Sequence, residues 1–292
     1  MIRRAALLFA LLLLPASTVL GQYARPQLLI EPTELARPEV VNDYVILDVR
    51  SDDAFAHAHV PGAIRVDHDE WKSAFGDGED VAAWSGRIGA LGIGSDTDVV
   101  VYDDVMLKDA ARIWWILRYW GVEHAQLLNG GWRTWTAEEL PVARDTVKPA
   151  PAAFTAVPHV RRLLGKQRLL SLLGGGRLQV VDSRSEGEYC GTTPLKNRRA
   201  GAIPGAVHLE WSDLVDADSH RVKSAAQLQG MFDAAEIDLA GPVTTHCQSG
   251  GRAAVMVFAL ELMGADNVSN YYRGWSEWGN ADDTPIQPGT KQ

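Results

Sequence analysis

Gly131-Trp132-Arg133-Thr134-Trp135 is answered by Gly274-Trp275-Ser276-Glu277-Trp278, 143 positions further along the chain. Working outward from that pair, Gly121 matches Gly264, and His59-Val60-Pro61-Gly62-Ala63 matches Ala202-Ile203-Pro204-Gly205-Ala206, all at the same offset. Further back, Val45-Ile46-Leu47-Asp48-Val49-Arg50 is echoed by Leu178-Gln179-Val180-Val181-Asp182-Ser183-Arg184. One offset shared by three motifs marks a duplication, so the chain is two copies of one domain.

Each copy alternates strand and helix signals. Tyr44 to Val49 and Gln179 to Asp182 are short Val/Ile-rich runs of the buried-strand type, and Asp98 to Tyr102 and Pro242 to His246 give a second strand in each copy. Helical stretches follow at Ala110 to Trp120 and Arg252 to Met263, each closed by a Gly suited to a C-cap. Such alternation predicts an α/β fold with parallel sheets covered on both faces. Pro141 to Pro158, rich in Pro and Ala, is the expected linker. Asp48 to Pro61 spans 13 positions and Asp182 to Pro204 spans 22, so the second copy carries an insertion around Cys190 to Arg199. Trp114, Trp115 and Trp120 lie in a helical stretch and the Gly-Trp-x-x-Trp pairs recur at equivalent places in both copies, so these Trp are read as core residues.

The 292 residues, 46% apolar and 22% charged, suit two ordinary globular domains. A net charge of −9 excludes the basic face that nucleic acid or an anionic membrane would need. Arg3 and Arg4 precede an apolar run from Ala5 to Leu14, which Pro15 ends before Val19-Leu20-Gly21. That is the pattern of a cleaved secretory signal over residues 1–21, and the alternative of a membrane anchor fails on length, since a span needs about 20 apolar residues. The protein is therefore expected to be exported, to a periplasm, with no stable anchor after cleavage. Cys190 and Cys247 are the only cysteines, too few for a disulfide framework. No residues point to a metal or an organic cofactor.

Cys247 carries the chemistry. It follows a strand and precedes a helix, the place where ligands gather in open parallel sheets. Gln248, Ser249, Gly250 and Gly251 can turn their N–H groups inward, and Arg252 adds a cation. These donors and the helix dipole would favour a thiolate below the free-thiol value of about 8.5. A buried apolar Cys is the plain alternative, but polar and Gly neighbours argue against it. Tyrosine phosphatases place five residues between Cys and Arg. Four stand here, a ring too tight for phosphate and suited to one sulfur atom.

Together, Asp182-x-Arg184, Arg199-x-Gly201-x-x-Pro204-Gly205, the Cys247 loop and Gly274-Trp275 resemble the rhodanese superfamily. The tandem thiosulfate and 3-mercaptopyruvate sulfurtransferases are the branch resembled, over roughly residues 26 to 288. The resemblance implies two tandem rhodanese-like domains at 26–142 and 159–288, joined by a linker at 143–158. Each is a doubly wound five-stranded parallel sheet with helices on both faces. Only the second domain would be catalytic, because strand alignment sets Asp103 opposite Cys247. The implied function moves a sulfane sulfur from thiosulfate to cyanide or a thiol through a Cys247 persulfide. Mercaptopyruvate is the alternative donor, and a non-catalytic sulfur carrier is the alternative of another class. Gln248-Ser249 matches neither the Arg-Lys of thiosulfate-preferring members nor the Gly-Ser-Gly of mercaptopyruvate-preferring ones. Arg184 is the first implied donor clamp and Arg198 or Arg199 the second, with Asp182 in support. Their plain alternatives are a structural ion pair for Arg184 and solvated loop charges for the other two. Cys190 is either a plain loop thiol or a partner able to form a disulfide with Cys247.

Overall fold

The computed structural model describes residues 22–290, so the signal assigned to residues 1–21 lies outside the described residues. Among the described residues nine strands form two parallel sheets. In the first half these are β1 (Leu29–Ile30), β2 (Tyr44–Asp48), β3 (Ile64–Arg65), β4 (Asp98–Tyr102) and β5 (Ala125–Leu128), ordered β1-β5-β4-β2-β3. In the second they are β6 (Gln179–Asp182), β7 (Val207–His208), β8 (Val243–His246) and β9 (Val268–Tyr271), ordered β7-β6-β8-β9. The two orders agree once β1 is set aside. Its counterpart is a single parallel bridge from Leu163 to Asn270, at the edge where β1 meets β5. The fifth strand expected in the second half is thus reduced to one paired residue.

Alternation along β4 shows why helices cover both faces. Val99 and Val101 enter one apolar cluster, whereas Val100 and Tyr102 enter another on the opposite face. The helices Lys108–Tyr119 and Gly251–Leu262 follow β4 and β8, and they pack along each other between the two sheets. In the second of these helices every residue except Arg252 is buried. One continuous apolar cluster therefore runs through both halves, from Leu47, Val99 and Trp114 to Val181, Val243 and Phe258. Trp114 meets Phe258 edge-on at 5.1 Å across the seam. Trp84, Trp114, Trp115, Trp120, Trp135, Trp275 and Trp278 are fully buried, as core residues should be.

Polar ties cross the same seam. Arg273 bonds Asp77 at 2.6 Å, and Arg221 reaches Glu31 and Glu138. Tyr23 donates its hydroxyl to the Lys223 carbonyl at 2.9 Å, so the first described residues lie on the second half. Residues 144–159 contain no helix or strand. Among the described residues no helix is long and apolar enough to cross a membrane.

Candidate functional site

Cys247 sits at the carboxyl end of β8, 2% exposed, with the helix Gly251–Leu262 opening four residues later. The loop between them is held by its carbonyls. The Cys247 carbonyl accepts from Trp275 N at 2.8 Å, Gln248 from Ser276 N at 2.9 Å, and Gly250 from Asn270 Nδ2 at 3.0 Å. These three bonds fix the carbonyl side of the loop. Gly274 is required for the first contact: a Cβ there would stand 2.2 Å from the Cys247 carbonyl oxygen, at a φ of +56°.

The first half displays the same cradle with an occupant. Asp103 follows β4, and its carbonyl accepts from Trp132 N at 2.8 Å, as that of Cys247 does from Trp275. Its carboxylate takes four N–H bonds, from Val105 at 3.1 Å and Leu107 at 3.0 Å, and from Asp109 and Ala110 at 2.9 Å each. Asp103 thus fills its own loop with its carboxylate oxygens. A carboxylate stands in the first half where Cys247 stands in the second. Burial pushes Asp103 up to about 6, against the pull of its N–H donors.

Arg252 approaches Cys247 from the first turn of the helix. Glu188 clamps it in a bidentate pair, Nη1 to Oε2 at 2.6 Å and Nη2 to Oε1 at 2.8 Å. Burial pulls Arg252 down, but the bonds to Glu188 and the neighbouring Cys247 hold it above its ordinary value. The same carboxylate closes the capping box of the short helix Glu186–Tyr189, accepting from Ser185 N. Gln248 exchanges amide hydrogen bonds with Asn197, at 2.9 and 3.2 Å, so the insertion does reach the loop.

The expected clamp arginines lie elsewhere. Arg184 is 2% exposed, with Nε 2.9 Å from Asp182 Oδ1, Nη2 2.6 Å from Asp182 Oδ2 and 2.7 Å from the Gly201 carbonyl. Its guanidinium lies 4.1 Å over the Trp275 ring. Arg50 repeats every feature with Asp48, the Ala58 carbonyl and Trp132, in the half that lacks the cysteine. The structure thus places Arg184 in an ion pair that both halves share, away from the lining of the cleft at Cys247. Arg199 spends its donors on the carbonyls of Trp278, Ala281 and Thr284, pinning the insertion to the C-terminal segment. Arg198 is mostly exposed and pairs with Asp282 at 2.9 Å. None of the three lines the cleft at Cys247.

That cleft, about 460 Å³, lies between the halves. Cys247, Gln248, Ser249, Gly251 and Arg252 form one wall, and His68, Lys72, Lys108 and Arg112 of the first half contribute to the other. Arg112 donates from Nη1 to the Ser249 carbonyl at 2.6 Å and to the Tyr272 hydroxyl at 2.9 Å. Sequence reasoning missed it, although a single Arg inside the apolar run Ala110 to Trp115 is a visible signal. Behind the loop, His246 faces Asp182 at 3.4 Å, where Tyr102 bonds Asp48 in the first half. Burial pushes His246 down to about 4, the Asp182 carboxylate recovering part of the shift. Cys190, partly buried at the end of the helix Glu186–Tyr189, and Cys247 are both free thiols.

The rhodanese-like domain matches residues 31–138 and again 166–281. The chain is 34% identical over 233 residues to thiosulfate sulfurtransferase of Mus musculus, covering 77% of this chain and 78% of that one. It is 32% identical over 235 residues to 3-mercaptopyruvate sulfurtransferase of Homo sapiens, again covering 77% and 78%. The crystal structure of YnjE superposes with a TM-score of 0.80 at 27% identity, over 92% of this chain and 70% of that one.

Proposed function

The chain belongs to the rhodanese family and is a sulfurtransferase, and on that premise we propose that it moves the outer sulfur of thiosulfate to cyanide or a thiol by way of Cys247. The observation that carries the reading is the cradle: a buried cysteine between strand and helix, ringed by a loop whose twin holds an anion in four N–H bonds. The Cys247 thiolate attacks the outer sulfur of the donor. A bond forms between the two sulfurs as the donor's own S–S bond breaks, and its electron pair leaves with sulfite. The acceptor then attacks the terminal sulfur of the persulfide, and the electron pair of that bond returns to Cys247. No oxidant is consumed, and the N–H ring holds the negative charge throughout.

Mercaptopyruvate is the second donor to test, because the human relative is named for it and a carboxylate is also an oxyanion. Purified chain is mixed with cyanide and either donor, and thiocyanate is followed against Cys247→Ser. Turnover by wild type alone, faster with thiosulfate, is expected. Equal traces for wild type and mutant with both donors would overturn the proposal. We also propose export, which the basic and apolar start of the chain supports. N-terminal sequencing of the mature protein should begin near residue 22, and a start at Met1 would remove the idea.

A further inference from the structure

The arginines around the catalytic loop differ in how their charge is met. Arg252 faces Glu188, Arg184 faces Asp182, and Arg198 faces Asp282. Arg112, which comes from the half without a cysteine, faces no carboxylate within 4 Å among the described residues. Its two hydrogen-bond partners, the Ser249 carbonyl and the Tyr272 hydroxyl, are neutral, and both are taken by Nη1. The ring of Tyr272 lies 5.3 Å from its guanidinium carbon. The residue is only 5% exposed, and its Nε is buried with no hydrogen-bond partner. A guanidinium so enclosed keeps its charge and has lost most of its water, an arrangement that is unfavourable until an anion arrives.

The geometry says where that anion would sit. Arg112 lines the cleft together with Cys247, Ser249, Gly251 and Arg252. Its Nε–Nη2 edge lies against Gly251, the first residue of the catalytic helix. A Cβ at that position would stand 2.5 Å from Nη2 and 3.1 Å from Nε. Gly251 closes that edge and leaves Nε wholly enclosed. Nη2, without a hydrogen-bond partner among the described residues, is the donor left for the cleft that Cys247 and the N-terminal end of the helix line, and both Nη2 and the helix end favour negative charge.

We propose that Arg112 receives the oxyanion end of the sulfur donor through Nη2, so that the binding site is completed by the half that lacks the cysteine. The proposal rests on the sulfurtransferase reading and supplies the clamp that Arg184, Arg198 and Arg199 do not. Arg112 takes no part in bond making. It holds the sulfonate while the outer sulfur passes to Cys247, and it faces the leaving sulfite as the charge gathers there.

The test uses the full chain carrying Arg112→Gln or Arg112→Lys. In the thiosulfate–cyanide assay the KM for thiosulfate should rise about tenfold to a hundredfold in Arg112→Gln, with a smaller change in kcat and in the KM for cyanide. Arg112→Lys keeps the charge and should recover part of the loss. Because Arg112 also steadies Ser249, reaction of Cys247 is compared with an uncharged partner, an organic trisulfide, whose central sulfur the thiolate attacks to give a mixed trisulfide as a thiolate leaves. The loss in that arm should be about tenfold smaller than with thiosulfate. Equal losses with both donors would reduce Arg112 to a loop support, and a thiosulfate KM within about twofold of wild type would remove it from binding altogether. Calorimetry of thiosulfate on Cys247→Ser, with and without Arg112→Gln, reads binding without turnover. It keeps the two readings separable, since absent thiocyanate in wild type would count against the function and unchanged affinity against Arg112.

Discussion

Arg184 and Asp182 form a pair closed off from water, and an identical pair, Arg50 with Asp48, stands in the other half. Breaking such a pair strands a buried carboxylate. Arg184→Gln should therefore lower folding stability by about 3–5 kcal/mol, read as a shift of the urea midpoint, while the donor KM of the folded fraction moves less than about twofold. A tenfold KM change at an unshifted midpoint would return Arg184 to the binding site. Two other buried residues make stability depend on pH in opposite directions. His246 takes a proton near 6.5 when unfolded but only near 4 when folded, so its contribution is complete above about 6.5 and is lost as pH falls towards 4. Asp103 keeps its proton up to about 6 in the fold against an ordinary 3.8, so its contribution is complete below about 4 and is lost as pH rises through 6. Each is worth about 3 kcal/mol at full extent. Asp103→Asn should then lose stability more steeply than wild type between pH 7 and about pH 5, and His246→Gln less steeply. Denaturant melts at the two pH values check both, and parallel slopes in all three proteins would refute the assignment.

The catalytic loop is short enough for one atom to disturb it. Gly250 has a φ of +83°, and a Cβ there would meet the Tyr272 ring at 2.5 Å and its carbonyl oxygen at 2.8 Å. Gly250→Ala should cost about 1–3 kcal/mol of stability and lower kcat by at least about tenfold, measured by melting and by thiocyanate release. An unaltered kcat would mean that the loop shape matters less than its residues. The matching loop in the first half meets the same demand differently. Met106 and Leu107 both take positive φ, an unfavourable choice offset by the four N–H bonds that converge on Asp103. Elements of this kind explain what the sequence made legible. The strands at 44–48, 98–102, 179–182 and 243–246 emerge from short Val/Ile-rich runs, and Asp103 opposite Cys247 follows from aligning them. The clamp arginines do not, because Arg184 and Arg199 look alike on paper and their partners are chosen by folding. Glu188 was half visible, since Ser185 and Glu188 have capping-box spacing. Nothing local joins it to Arg252, 64 positions away.

At the scale of the molecule, the halves are joined by the helices that follow their two cradles. Lys108–Tyr119 lies along Gly251–Leu262, and Phe75, Trp115 and Tyr272 close the seam with ring contacts of 4.8 to 5.2 Å. Separating them would expose a helix buried along almost its whole length. The full chain should therefore unfold in one cooperative step, with near-ultraviolet dichroism and tryptophan fluorescence tracing the same curve. Two resolved steps would show that the halves stand alone. The burial of Cys247 has a further effect, on timing. The residue is 2% exposed and lines one cleft, so on the proposed reading donor and acceptor would reach its sulfur from there. Donor and acceptor must then take turns at a single doorway. On the proposed mechanism each sulfur atom would wait on the protein while the first visitor departs, and the chain would work as a relay with one parking place.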